Sequence, residues 1–248
     1  MPRWGLADHV AHAPALAAAA TKAGPSAGAV RTALFVNVLV LGIAALVYAV
    51  RYVLLIINRN TLLNSMVAGA AVWLGIVASV AAIAAVFTSI MVLVRWLIAR
   101  RAAAFKHHGL PERRSVRQLV AGCLLPLVNL LWAPVYVIEL AMIEDHYTRL
   151  RRPIVVWWIA WVVSNAVSIF AILTSFATDA QGIANNTLLM VLAYVLAAAT
   201  VAAVGRVFEG FERKPVERPA HRWVVVPDRP AVAASTGPVE MEGREPAA

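Results

Sequence analysis

Charge and cysteine are both scarce in this chain of 248 residues. Only 14% of its residues are charged, and its one cysteine is Cys123. Soluble domains carry about 25% charged and about 45–50% apolar residues. Here 61% are hydrophobic and the mean hydropathy is +0.75. The shortage of charge excludes a water-soluble globular domain and a disordered chain alike. A lone cysteine excludes an intramolecular disulfide and a thiolate metal cluster. The motifs of a phosphate-binding loop, a glycine-rich dinucleotide site, a catalytic triad and a zinc peptidase are all missing. No catalytic, metal-ligating or cofactor-binding residue is therefore expected, and no cofactor.

What is present is a set of long apolar runs. A helix needs about 20 apolar residues to cross a hydrocarbon core of about 30 Å. Four runs qualify: Thr32–Tyr52, Met66–Ile98, Ile154–Ala177 and Thr187–Gly205. A fifth, Leu119–Met142, is long enough but carries Pro126, Asn129, Pro134 and Glu139. Proline lacks the backbone N–H and disrupts a helix interior, so this run reads as two pieces broken at Pro126 and Pro134. Asn129 is placed to hydrogen-bond carbonyls freed near the break. The N-terminal stretch holds Asp8, His9, His12 and Pro14, which spoil the apolar core of a signal peptide. Ala15–Ala20 reads as a short surface helix and Gly24–Gly28 as a flexible joint before the first span.

Basic residues decide the topology, since they collect on the cytoplasmic side. The 22 Lys and Arg outnumber 13 Asp and Glu, a net charge of +9. Arg95, Arg100, Arg101, Lys106, Arg113, Arg114 and Arg117 sit around the joint after the second run; Arg149, Arg151 and Arg152 precede Ile154; the loop 178–186 has none. If Leu119–Met142 crossed the membrane, these clusters would lie on opposite sides. If it dips in and returns, every cluster is cytoplasmic. The expected fold is thus an all-α, polytopic integral membrane helix bundle. It has four transmembrane helices, both termini inside, and a Pro-broken re-entrant or interfacial element (116–143) on the cytoplasmic side. The expected domains are a cytoplasmic segment 1–31, a transmembrane domain 32–209 and a disordered tail 210–248. The tail's apolar island, Trp223–Val226, could add as a strand to a partner's sheet edge.

Several residues in this frame invite a role. Arg95, Arg100 and Arg101 are expected to meet lipid headgroups, because juxtamembrane basic clusters attract anionic lipid; nucleic acid is not expected. Trp157, Trp158 and Trp161 read as an interfacial aromatic anchor. Ala71, Gly75 and Ser79 recur every four residues, as do Ala198 and Ala202, a spacing that lets helices approach closely. Arg51, beside Tyr48 and Tyr52, is expected to snorkel to the outer interface. Asn165, between Ser164 and Ser168, is expected to hydrogen-bond to the broken element or to the fourth span. Glu139 is expected to pair with an arginine of the basic joint. Glu144, Asp145 and His146 could hold a metal only by converging, which adjacent residues on a helix do not do. His107 and His108 read as solvated, and Cys123 as a small buried apolar residue.

The stretch from Arg95 to Asn165 resembles the actinobacterial membrane family catalogued as domain of unknown function 4328. The resemblance is carried by Arg95-Trp96-Leu97 with Arg100-Arg101 and Ala103, then by Pro126-Leu127-Val128-Asn129-Leu130 with Trp132, Pro134 and Glu139. It closes on Trp157-Trp158, Trp161 and Ser164-Asn165. This chain departs from the pattern at Ala133, where the family usually has a basic residue, and its Asn129–Pro134 spacing is one residue longer. The resemblance implies a polytopic membrane protein without assigned chemistry. The function expected from the whole is a non-enzymatic accessory or scaffold subunit. It would stabilise or coordinate a larger cell-envelope complex in the plasma membrane, for lipid or fatty-acid uptake, with anionic lipid and other membrane proteins as partners. The alternative is a small-solute or lipid transporter or channel built around 116–143. A third class is a membrane enzyme using Glu139, or Glu144 with His146.

Overall fold

A computed structural model describes residues 24–112, 114–125 and 127–213, and among them all regular structure is helical. Six helices follow in order: α1 (Ala27–Asn60), α2 (Ser65–His107), α3 (Val116–Leu124), α4 (Val128–Ile143), α5 (Tyr147–Thr174) and α6 (Ala180–Glu212). Four of them, α1, α2, α5 and α6, are long and apolar enough to cross a membrane. Three of them contain their apolar run and continue beyond it; α5 begins before Ile154 but ends at Thr174, short of Ala177. At 1.5 Å per residue, the 43 residues of α2 extend about 65 Å, twice the hydrocarbon thickness. It is longer than a crossing needs, and Arg100 and Arg101 lie in its last turns.

Local chemistry sets the helix ends. Ser26, Asn64, Ser115 and Asp179 cap the N-termini of α1, α2, α3 and α6 with side-chain oxygens. At α3 the cap is reciprocal: Gln118 Nα–H is accepted by Ser115 Oγ, and the Ser115 backbone N–H by Gln118 Oε1. The short links 61–64 and 175–179 join the spans at one end of the bundle; the described arginines other than Arg51 and Arg59 collect at the other. Helix α6 packs between α1 and α5, and α1 between α2 and α6. Helices α2 and α5 share no packed interface; α3 and α4 fill the space between them at the basic end.

The broken element has one break rather than two. Helix α3 ends at Leu124, the turn passes through Leu127 at φ +66°, and α4 then runs without interruption through Pro134. Pro126 lies outside the described residues. Pro134 does not end its helix as expected. The carbonyl it leaves without a donor, that of Leu130 four residues back, accepts instead from the Trp158 indole N–H at 2.8 Å. Nor is Gly24–Gly28 a flexible joint. Gly28 is already helical, and a Cβ on Gly24 would come within 2.5 Å of the Ala99 side chain, so this segment is fitted against α2. The stretch Ala15–Ala20 and the island Trp223–Val226 lie outside the described residues.

Candidate functional site

The basic end carries a layered set of ion pairs. Arg101, on α2, is only 1% exposed. It donates to the Tyr136 carbonyl at 2.9 Å, to Glu112 at 3.0 Å and to Glu139 at 3.1 Å. Its guanidinium also lies over the Phe105 and Tyr136 rings. Arg114 grips both Glu139 oxygens from the loop before α3 and stacks on Trp132 and Tyr136 of α4. Burial alone would lift the Glu139 carboxyl, but the two guanidiniums outweigh it and hold the group below the usual carboxylate range. The same pairing raises Arg114. So the one acid of the fifth apolar run is gripped by two arginines, one from each side.

A second cluster sits beside the first. Arg100 donates to both oxygens of Glu144 at 2.8 and 3.0 Å, to Glu212 at 2.5 Å and to the Phe211 carbonyl at 2.8 Å. It lies over Trp96 and Phe211. This arginine ties the ends of α2, α4 and α6 together. Arg149 adds a bond to the Gly210 carbonyl, and Arg31 pairs with Glu209. His146 is half-buried near Glu144, and burial, helped by Arg149 and Arg100, holds its pKa below the ordinary value. Among the described residues no three His, Cys, Asp or Glu are grouped to hold a metal.

Arg100 and Arg101 thus turn inward rather than toward headgroups; Arg95 alone of the three is exposed. The reason is the supply of acids on α4, α6 and the 108–115 loop, which offer stronger, bidentate partners than solvent. The tryptophans divide likewise. Trp157 and Trp161, four residues apart, share the inner face of α5 and stack at 5.4 Å, whereas Trp158 points to α4. Asn165 donates to the Trp161 carbonyl within its own helix, not across the bundle. Asn129 contributes its backbone N–H to Leu125, and its side chain lines the bundle interior. Gly75 and Ser79 make room for rings, not for a close backbone: a Cβ on Gly75 would meet Tyr48, and Ser79 binds both Tyr48 and Tyr194. Arg51 lies over the Tyr48 ring.

Around the inner cluster opens a groove of about 900 Å³. One wall is polar, with Arg101, Arg114, Gln118 and Glu139; the other is apolar, with residues such as Leu110, Leu125 and Met142. No motif flagged this groove in the sequence, because Arg114 reaches Glu139, and the Gln118 carbonyl reaches Tyr136, only once α3 folds back on α4.

Long apolar helices with most of their charges gathered at one end define a multi-pass membrane helix bundle. Within that class, the chain belongs to the family described as Domain of unknown function (DUF4328), whose model matches residues 59–213. No curated protein matches the chain, and no solved structure does.

Proposed function

We propose that this protein is a non-enzymatic accessory subunit that stabilises or coordinates a larger envelope complex, in a pathway of lipid or fatty-acid uptake. The observation that carries the reading is the groove at the basic end. Its acids are bound by arginines, so its charges act as a brace, while its other wall offers apolar surface at the membrane boundary. Such a surface suits a lipid or a partner helix. Anionic headgroups would gather at the exposed Arg95. In this reading the basic end faces the cytoplasm, both termini lie inside, and α3–α4 forms a re-entrant or interfacial element in the plasma membrane.

Affinity purification of the tagged chain in mild detergent tests this, with Trp132→Ala as the groove variant. A stoichiometric membrane complex held by wild type and lost in the variant supports the accessory role. An isolated protein or homo-oligomer moves the weight to a transporter built around 116–143. The interior opening on which α3 and α4 both border favours that second reading, and flux into liposomes would test it.

A further inference from the structure

A second cavity, of about 210 Å³, lies inside the bundle, bounded at one end by Trp96 and Phe211, the rings beneath Arg100. All six helices contribute to its wall, and no charged side chain does. Its lining runs from Val86 to Leu97 on α2 and from Thr200 to Phe211 on α6. Each is a rise of about 16 Å along the helix axis. The space is therefore long and narrow. Apolar cavities of about 150 Å³ stay dry and accept apolar guests. This one is larger.

Asn37, Ser89, Asn129 and Thr200 interrupt the apolar lining. Asn37 is 2% exposed, lines the cavity, and its Oδ1 has no hydrogen-bond partner among the described residues. The neighbouring hydroxyls are already committed as donors: Ser89 gives to the Ala33 carbonyl and Thr200 to the Leu196 carbonyl. An acceptor left without a donor in so apolar a space is destabilising. A guest that brings its own donor removes that cost.

We propose that this cavity binds a neutral, single-chain amphiphile bearing a hydroxyl. The alkyl tail lies along the apolar walls and the hydroxyl donates to Asn37 Oδ1. A charged headgroup is excluded because nothing on the wall could pair with it. The site is independent of the accessory reading, since it needs no partner protein.

The test uses the full chain in nanodiscs and a decanol carrying a photoreactive diazirine. In wild type, cross-links should map to wall residues such as Val137, Trp161 and Val204. Decanol should compete roughly two- to tenfold better than its methyl ether, the worth of one hydrogen bond. Asn37→Leu should erase that preference while keeping the cross-links. Ala133→Phe, which fills the space, should abolish them. Cross-links confined to lipid-facing residues such as Trp73 and Ile83 would overturn the proposal. So would equal competition by alcohol and ether in wild type. Both outcomes are read on wild type, so a variant that fails to fold leaves the decision intact.

Discussion

The indole N–H of Trp158 donates at 2.8 Å to the Leu130 carbonyl, the one that Pro134 strips of its helical partner. A proline in one helix and a tryptophan in the next are thus two halves of one interaction. In a membrane no water replaces a lost backbone partner. Trp158→Phe is therefore expected to lower stability by about 1–3 kcal/mol, the cost of an orphaned carbonyl. Pro134→Ala restores a backbone N–H to Leu130. In that background Trp158→Phe should be nearly neutral on this account. Thermal unfolding of the four proteins in detergent closes the cycle, and additive losses would disprove the link.

The fold was legible at the level of spans because long apolar runs have one stable solution in lipid. The details at 116–143 were not. Pro134 marks a break by local rules, and only the position of Trp158 on α5 lets α4 pass through it. Glu139 announced an arginine partner by its own isolation, but Arg101 and Arg114 could not be chosen from seven basic neighbours. Arg101 lies six residues beyond Arg95 on the same helix. What separates the exposed arginine from the buried one is the approach of α4, a tertiary event. Trp157 and Trp161 show the same limit: residue type suggests an interface, while the four-residue spacing places both on the packed face.

The Glu139 cluster should make stability fall in acid. The folded carboxyl titrates below its unfolded value, so the unfolded chain takes up the proton first. The stabilisation is complete above the ordinary carboxylate pKa of about 4.3 and is lost as pH drops through the lower folded value. Glu139→Gln should lose this stability at neutral pH, because Arg101 is left buried with less compensation. A loss of about 3 kcal/mol is expected for breaking such a pair. The variant's unfolding midpoint should also depend less on pH below 5 than wild type. An identical acid slope in the two proteins would assign the slope to other groups.

Ser79 joins two tyrosines across three helices. Its hydroxyl donates to the Gly75 carbonyl at 2.8 Å, so both phenols, Tyr48 at 3.0 Å and Tyr194 at 2.9 Å, donate to it. Tyr194→Phe removes one donor and leaves the other bond whole. Ser79→Ala orphans two phenols at once. Intramembrane hydrogen bonds average about 0.6 kcal/mol, so the serine variant should cost about twice the tyrosine variant. Unfolding in detergent measures both, and equal costs would mean that one of the two bonds contributes nothing.

Gly122 fixes how closely α3 lies on α4. A Cβ there would come within 2.5 Å of Tyr136 Oη and 2.8 Å of its ring. The ring has no room to yield freely: Tyr136 is buried, its hydroxyl donates to the Gln118 carbonyl, and Arg101 and Arg114 both pack on it. Gly122→Ala would ordinarily favour a helix by about 1 kcal/mol. Here overpacking, at about 1–3 kcal/mol, should win. The variant is expected to unfold earlier and to expose α3 to protease. Tyr136→Phe relieves the nearest clash but forfeits the Gln118 bond, so the double variant should recover only part of the loss. A more stable Gly122→Ala protein would show that α3 does not sit against Tyr136.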